Sequence, residues 1–464
     1  MKKRALAILM AALTASTMLA VPTFAADYSG EDPQLEKNIK ILTIWAEDND
    51  NGMLLNKICE DYQKNVNPNF TWEYEMVASD NLQQKIATLA ASNDLPDLFA
   101  YEAGAPLSVL IDSGKVKNIT EAVDEIGTAD YLNSGAVELL KGLSGTDDLL
   151  LPIQDVVSEE TYSKMYDAFL AQSEVDGTVW AIPDLASARA MYYNKDILDA
   201  AGVEVPTTWD EFEEVLQKLS DAGIQPLTTG GSDKWGATRL INAYAVRTAG
   251  NDIMTKAADG EVPYTDEKLV AAADKIAEWA EKGYFGEGIT TVDMNTAGSM
   301  LMSGKAAIFY NGSWFTQNLT DDSQNPAGED GIGFFNIPVA DESISSATSY
   351  SMNCGNILAL DNDKYDEATG WFLKYFMENI GNVAMEDQGT VKGYTYDVAA
   401  DDMDNYTKLV LDEIDKSTEG FAWWEAKMPS EISKTAQENV QPLLNGEMTG
   451  EEYMQSIQDV YDMQ

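Results

Sequence analysis

The stretch Ile39–Ala46 reads IKILTIWA, apolar throughout except for Lys40 and Thr43. A run with so little alternation fits a strand buried on both faces, as in a parallel sheet covered by helices. The residues that follow keep to that plan. Gly52–Val66 sets Leu54, Leu55, Ile58, Cys59 and Tyr62 on one helical face. Phe70, Trp72, Tyr74 and Met76 alternate, so Phe70–Val77 reads as a strand with one aromatic face. Asp80–Ala91 reads as a helix, and Asp97–Tyr101 as a short strand after Pro96. The order β-α-β-α-β opens an α/β sheet.

Ligands of open α/β sheets sit outside the carboxyl ends of the strands. That rule selects Trp45, Glu47 and Asp48 after the first strand, and Tyr101 and Glu102 after the third. The alternative is that Trp45 is core and the acids are solvated loop charges. Further along, Thr208 and Glu211 form a capping box, followed by a stripe of Phe212, Val215, Leu216 and Leu219 that Gly223 ends. Thr449 and Glu452 repeat the box before the last helix. Leu269–Lys282 and Asp366–Asn379 read as two more amphipathic helices. No internal repeat or low-complexity linker separates these elements, so any domains are joined by ordered crossings.

Composition excludes whole classes of function. The 464 residues carry 30 Lys plus Arg against 78 Asp plus Glu, and no His. So acidic a chain is repelled by nucleic-acid phosphates and by anionic lipid. Without His there is no Ser-His-Asp triad, no HExxH helix and no His-ligated metal. The start has the layout of a secretory signal: Lys2-Lys3-Arg4, an apolar run to Val21, and small residues before a cleavage site at Ala25. Removing residues 1–25 leaves 27 basic against 78 acidic groups, a balance of −51. No Cys follows the apolar run, so this sequence carries no lipid-anchor signal of its own, and an extracytoplasmic location is expected. Cys59 and Cys354 read as two buried free thiols, with a bridge as the alternative. Asp48-Asn49-Asp50-Asn51-Gly52 lacks the closing Glu of a calcium loop, and no cofactor or metal is expected.

Residues 176–209, DGTVWAIPDLASARAMYYNKDILDAAGVEVPTTW, carry a more specific signal. An Asp176-Gly177 turn leads to Trp180-Ala181-Ile182-Pro183, then Tyr193-Asn194-Lys195-Asp196, Ala201-Gly202 and Thr208-Trp209. The segment resembles the carbohydrate-type extracellular solute-binding proteins of ABC importers, in their oligosaccharide-binding branch. Asp94-Leu95-Pro96-Asp97, GGSDKW (230–235), GKAAIFYNGSW (304–314), Gly331–Pro338 and Asn445–Thr449 extend the likeness in order over roughly residues 38–463. Ser349–Gly355 (SYSMNCG) departs from it, since relatives are often richer in glycine there.

The resemblance implies a two-lobed periplasmic-binding-protein-like clamp. Each lobe is an open, mostly parallel sheet flanked by helices. One lobe comprises 38–188 and 352–403, the other 189–351 and 404–464. Three hinge crossings are expected, near Ala186–Ala190, Ser349–Asn353 and Met403–Asn405. The implied protein is a non-enzymatic, monomeric receptor that closes on a sugar and hands it to permease subunits with a separate ATPase. Relatives place a Trp such as Trp314 under a sugar ring. Trp423 and Trp424 are adjacent in a loop, so one of them can face the cleft. Asp233, Lys234 and Trp235 follow two glycines, with Arg239 a turn later, and Asp184 and Arg189 flank the first crossing. A salt bridge is the alternative for Arg239, and a purely structural charged pair is the alternative for Asp184 and Arg189. Two other functions stay open: a secreted glycoside hydrolase with an Asp/Glu pair, and the same clamp closing on a non-sugar solute such as a peptide.

Overall fold

The computed structural model describes residues 28–47, 50–78, 81–101, 110–111, 113–117, 174–175, 178–179, 182–183, 187–321, 323–353, 357–389, 398–399, 403–416, 419–421 and 428–463. The signal segment, Asp48, Glu102, Asp184, Cys354, Trp423 and Trp424 lie outside them.

Two sheets organise the chain. The first contains β1 (Lys37–Thr43), β2 (Phe70–Met76), β3 (Leu98–Tyr101), β6 (Ile182–Pro183) and β12 (Ile357–Leu360), in the order β2-β1-β3-β12-β6. β1 pairs in parallel with β2 from Lys37↔Phe70 to Thr43↔Met76, and with β3 at Ile41↔Leu98. A small hairpin, β4 (Glu174–Val175) with β5 (Thr178–Val179), precedes β6. Helices α1 (Asp50–Asn65) and α2 (Leu82–Ala91) follow β1 and β2 as expected. Ile39 and Ile41 of β1 share a core with Leu54, Ile58, Cys59 and Tyr62, whereas Leu42 packs with Leu82, Ile86 and Phe99. β1 is thus covered on both faces, which is why its sequence is apolar with little alternation. Cys59 is a buried free thiol, and loss of water pushes its pKa well up.

The second sheet contains β7 (Ser187–Asn194), β8 (Gln225–Thr228), β9 (Ala306–Gly312), β10 (Ile332–Phe335), β11 (Ser349–Asn353) and β13 (Glu419–Phe421), in the order β13-β11-β7-β9-β8, with β10 also on β7. Its helices are α3 (Lys195–Ala201), α4 (Trp209–Asp221), α5 (Trp235–Ala249), α6 (Ile253–Ala258), α7 (Glu267–Glu281), α8 (Met294–Met302) and α9 (Thr316–Thr320). Then come α10 (Glu367–Gln388), α11 (Asn405–Asp415), α12 (Ser430–Leu444) and α13 (Gly450–Tyr461). Both capping boxes form: the Thr208 and Thr449 side chains accept from the Glu211 and Glu452 N–H groups, and each Glu reaches back. Asn194 caps α3, and Gly202 ends it at φ +62°. Trp209 stacks on Trp279 at 5.5 Å in the core beneath α4, α5 and α7.

The α/β architecture is as expected, two helix-flanked sheets whose strands mostly run parallel, and a single reversed strand makes each sheet mixed. One strand in each runs against its neighbours: β12 against β3 and β6, and β7 against β9, β10 and β11. These are the strands on which the chain arrives from the other sheet. β6 leaves the first sheet and β7 begins the second; β11 leaves the second and β12 joins the first. A chain entering at the carboxyl edge of a parallel set must run antiparallel to it. The chain changes layers again between α10, which packs on the first core, and α11, whose Tyr406 and Val410 belong to the second. α10 also outruns its expected end at Asn379, because Ile380, Ala384 and Met385 continue its buried face as far as Gly389.

Candidate functional site

Only residues 184–186 separate β6 from β7, and only 354–356 separate β11 from β12. Four Cα–Cα steps reach at most about 15 Å. At both crossings the strand ends at the carboxyl edges of the two sheets therefore lie within that distance of each other.

The edge of the second sheet is built around β9. After Gly312 the chain turns through a short 3-10 segment, Ser313–Phe315. Phe315 is 4% exposed and meets Tyr192 and Phe309 edge-on at 5.1 and 5.0 Å. That anchor pins the turn, so Trp314 beside it stays at the rim, half-buried.

Next to β9, β8 runs into the loop Gly230–Trp235. The loop is tied down on two sides. Ser232 N–H donates to the Val292 carbonyl (2.9 Å), and Met294 N–H donates to an Asp233 carboxylate oxygen (2.7 Å). Gly230 N–H points at the Met294 sulfur (2.9 Å), and the Gln441 amide donates to the Gly231 and Thr290 carbonyls. A Cβ on Gly230 would sit 2.5 Å from the Met294 thioether, so any side chain here would have to push Met294 aside. Loss of water raises the Asp233 pKa, the Met294 N–H opposes that, and neighbouring Asp293 adds to it. Asp233 thus spends one oxygen on holding the loop.

The loop ends in a strained turn. Lys234 has φ +66° and ψ −48°, and Trp235 N–H donates back to the Asp233 carbonyl at 2.7 Å. This is a γ-turn of the rare hand, and it starts α5 directly at Trp235. The Trp235 ring meets that of Trp314 at 6.0 Å and 57°, and the Arg239 guanidinium lies 4.6 Å over Trp235. Five expected site residues, Asp233, Lys234, Trp235, Arg239 and Trp314, therefore come together at one edge. Glycine spacing signalled the loop; the support from Met294 and Gln441 had no sequence signature.

The first sheet contributes differently. Trp45 follows β1 with its backbone fastened: its N–H donates to Thr43 Oγ1 (3.1 Å) and its carbonyl accepts from the Tyr74 hydroxyl (3.0 Å). Its indole is half-buried against the first core, and Glu47 is exposed. Tyr101 is 5% exposed, packed among Phe99, Leu42 and Leu110, because β3 is an inner strand with all four residues buried. Arg189 is placed through its backbone, opposite Gly312 on β9 and Ser351 on β11. Among the described residues no group of three or more His, Cys, Asp or Glu side chains could hold a metal ion.

Two helix-flanked α/β sheets joined edge to edge by short crossings define the two-domain fold of solute-binding proteins. The chain belongs to the bacterial extracellular solute-binding protein family, whose profile matches residues 46–382. A putative binding protein of Brucella abortus (strain 2308) is 25% identical over 263 residues, which are 56% of this chain and 54% of the relative. A probable sugar-binding periplasmic protein of Rhizobium meliloti (strain 1021) is 30% identical over 166 residues, 35% of this chain and 39% of the relative. The chain thus spans about half the length, or less, of the curated relatives it matches. A solved chitin oligosaccharide binding protein superposes with a TM-score of 0.75 at 20% identity, covering 92% of this chain and 98% of its own. At that identity the likeness establishes the fold.

Proposed function

We propose that this protein is a non-enzymatic extracytoplasmic receptor for a sugar, an oligosaccharide in particular, which closes on its ligand and delivers it to the permease subunits of an ABC importer. The observation that carries this reading is the Trp235–Trp314 pair, backed by Arg239, at the carboxyl edge of the second sheet, which two short crossings tie to the first. A pyranose has an apolar CH face and a rim of hydroxyls. Indole rings cover the first, and carboxylates and guanidinium groups bond the second. A site between two domains captures a ligand by making contacts that exist only when the domains close.

In this reading the lobes are 38–188 with 352–403 and 189–351 with 404–464, hinged near Ala186–Ala190, Ser349–Asn353 and Met403–Asn405. Trp314 and Trp235 form the platform, and Arg239, Lys234 and Asp233 supply polar contacts beside it. Arg189 and Asp184 reach the cleft floor. Trp45, Glu47, Asp48 and Glu102 offer the opposing rim, with Trp423 or Trp424 as a further ring. Tyr101 supports that rim from inside. The receptor works as a monomer outside the cytoplasm. Its family and relatives are binding proteins, which leaves the glycoside hydrolase alternative without support. Calorimetric titration with neutral malto-, xylo- and chito-oligosaccharides tests the proposal. One-to-one binding to at least one is expected, and no heat with any, alongside binding of a peptide, would overturn it.

A further inference from the structure

Gly312 ends β9 with φ −100° and ψ 168°, extended backbone that any residue adopts. Nothing in the main chain asks for glycine, and a glycine inside a strand weakens it. Space supplies the reason. A Cβ on Gly312 would lie 1.9, 2.2 and 2.3 Å from Cζ3, Cη2 and Cε3 of Trp314, far inside van der Waals contact. The six-membered ring of the indole rests directly on the Gly312 Cα.

Neither backbone is free to yield. Gly312 N–H donates to Asn311 Oδ1 (2.8 Å), its carbonyl accepts from the Tyr192 hydroxyl (3.0 Å), and it pairs with Arg189 across the ladder. Trp314 is followed by the buried anchor Phe315, and the Thr316 hydroxyl donates to the Ser313 carbonyl (2.9 Å). A methyl group at 312 would therefore be accommodated by rotating the indole to another rotamer, away from Trp235.

We propose that Gly312 is a positioning residue: its missing side chain is the seat that fixes the Trp314 ring against Trp235. The seating stands on the geometry alone. Its consequence for ligand affinity rests on the receptor reading above.

The test uses the full-length protein and separates the two. Indoles this close couple excitonically, so far-UV circular dichroism of the unliganded protein should contain a paired band that Trp314→Phe and Trp235→Phe both abolish, leaving only the contribution of the Trp209–Trp279 pair. Gly312→Ala should abolish it too, and a retained band would overturn the seating. Thermal melts make a second, independent arm. Gly312→Ala should lower the melting temperature with Trp314 present but not in a Trp314→Ala background, where an alanine at this φ and ψ is tolerated or slightly stabilising. An equal loss in both backgrounds would mean a backbone role and overturn the proposal. Toward whichever oligosaccharide of the malto-, xylo- and chito- panel binds the wild type, Gly312→Ala should weaken binding about tenfold or more. A lost band with unchanged affinity keeps the seating and removes Trp314 from the platform.

Discussion

The carboxyl edges of the two sheets are built by opposite strategies. On the second sheet, two tryptophans stand at the rim, held by glycine approaches, a strained turn and a loop tethered through Asp233, Ser232 and Gln441. On the first, Trp45 is roped by its backbone to Thr43 and Tyr74 and leans into the core, while Tyr101 is buried outright. One edge has its aromatic surface preorganised at the rim, and the other has it partly withdrawn. Rings held in place before the ligand arrives lose less entropy on binding. The second-sheet edge should therefore carry most of the affinity, and the first should contribute mainly on closure.

The largest effect should come from testing that asymmetry directly. Trp314→Ala should cost about 2–4 kcal/mol of binding, roughly 30- to 1,000-fold, with little change in melting temperature. Trp45→Ala should do the reverse, losing about 2 kcal/mol of stability, since half a tryptophan leaves the core. Its effect on affinity should be smaller, and calorimetry with thermal melts would separate the two. Next in size is the turn at Lys234. Lys234→Gly relieves a left-handed conformation and should raise stability by about 1 kcal/mol while weakening binding several-fold as the turn loosens. A gain in both would show that the strained turn does not position Trp235.

Away from the edges the effects should be on stability alone. Thr208→Ala or Thr449→Ala should cost about 1 kcal/mol by removing a capping box, with affinity unchanged. The smallest effect concerns pH. The Thr207 N–H and hydroxyl and the Thr208 N–H hold the Glu211 carboxyl below its usual 4.5, and the Thr449 N–H and hydroxyl do the same for Glu452. A lowered carboxyl stabilises the fold above its unfolded value, and that contribution is lost as pH falls through the folded value. Glu211→Gln and Glu452→Gln should thus lose less melting temperature between about pH 6 and about pH 3 than wild type. Asp233, whose pKa is raised, works in the opposite sense: its contribution fades as pH rises, which slightly flattens the same curve.

Much of this was legible in the sequence because it is local. The buried pattern of Ile39–Ala46, the helical face of Leu54 to Tyr62 and the boxes at Thr208 and Thr449 depend on residues within a turn or two. Strand direction was not legible. β7 and β12 run antiparallel because of where the chain enters each sheet, which no hydrophobic pattern records. Tyr101 lies at a strand end and looked like a rim residue, but β12 pairs on its far side and encloses it. The Trp235–Trp314 contact depends on the pairing of β8 with β9, so the glycine-rich loop and the Gly-Ser-Trp turn could be named separately but not joined. The γ-turn at Lys234 was hidden for another reason: a lysine at positive φ carries no sequence signal.

The central claim is that a sugar binds on the tryptophan pair at the second-sheet edge. Titrating wild type and Trp314→Ala side by side with the same neutral oligosaccharide tests it most directly. The account predicts one-to-one binding by wild type and at least about thirtyfold weaker binding by the variant. Equal affinities for the two proteins would contradict it.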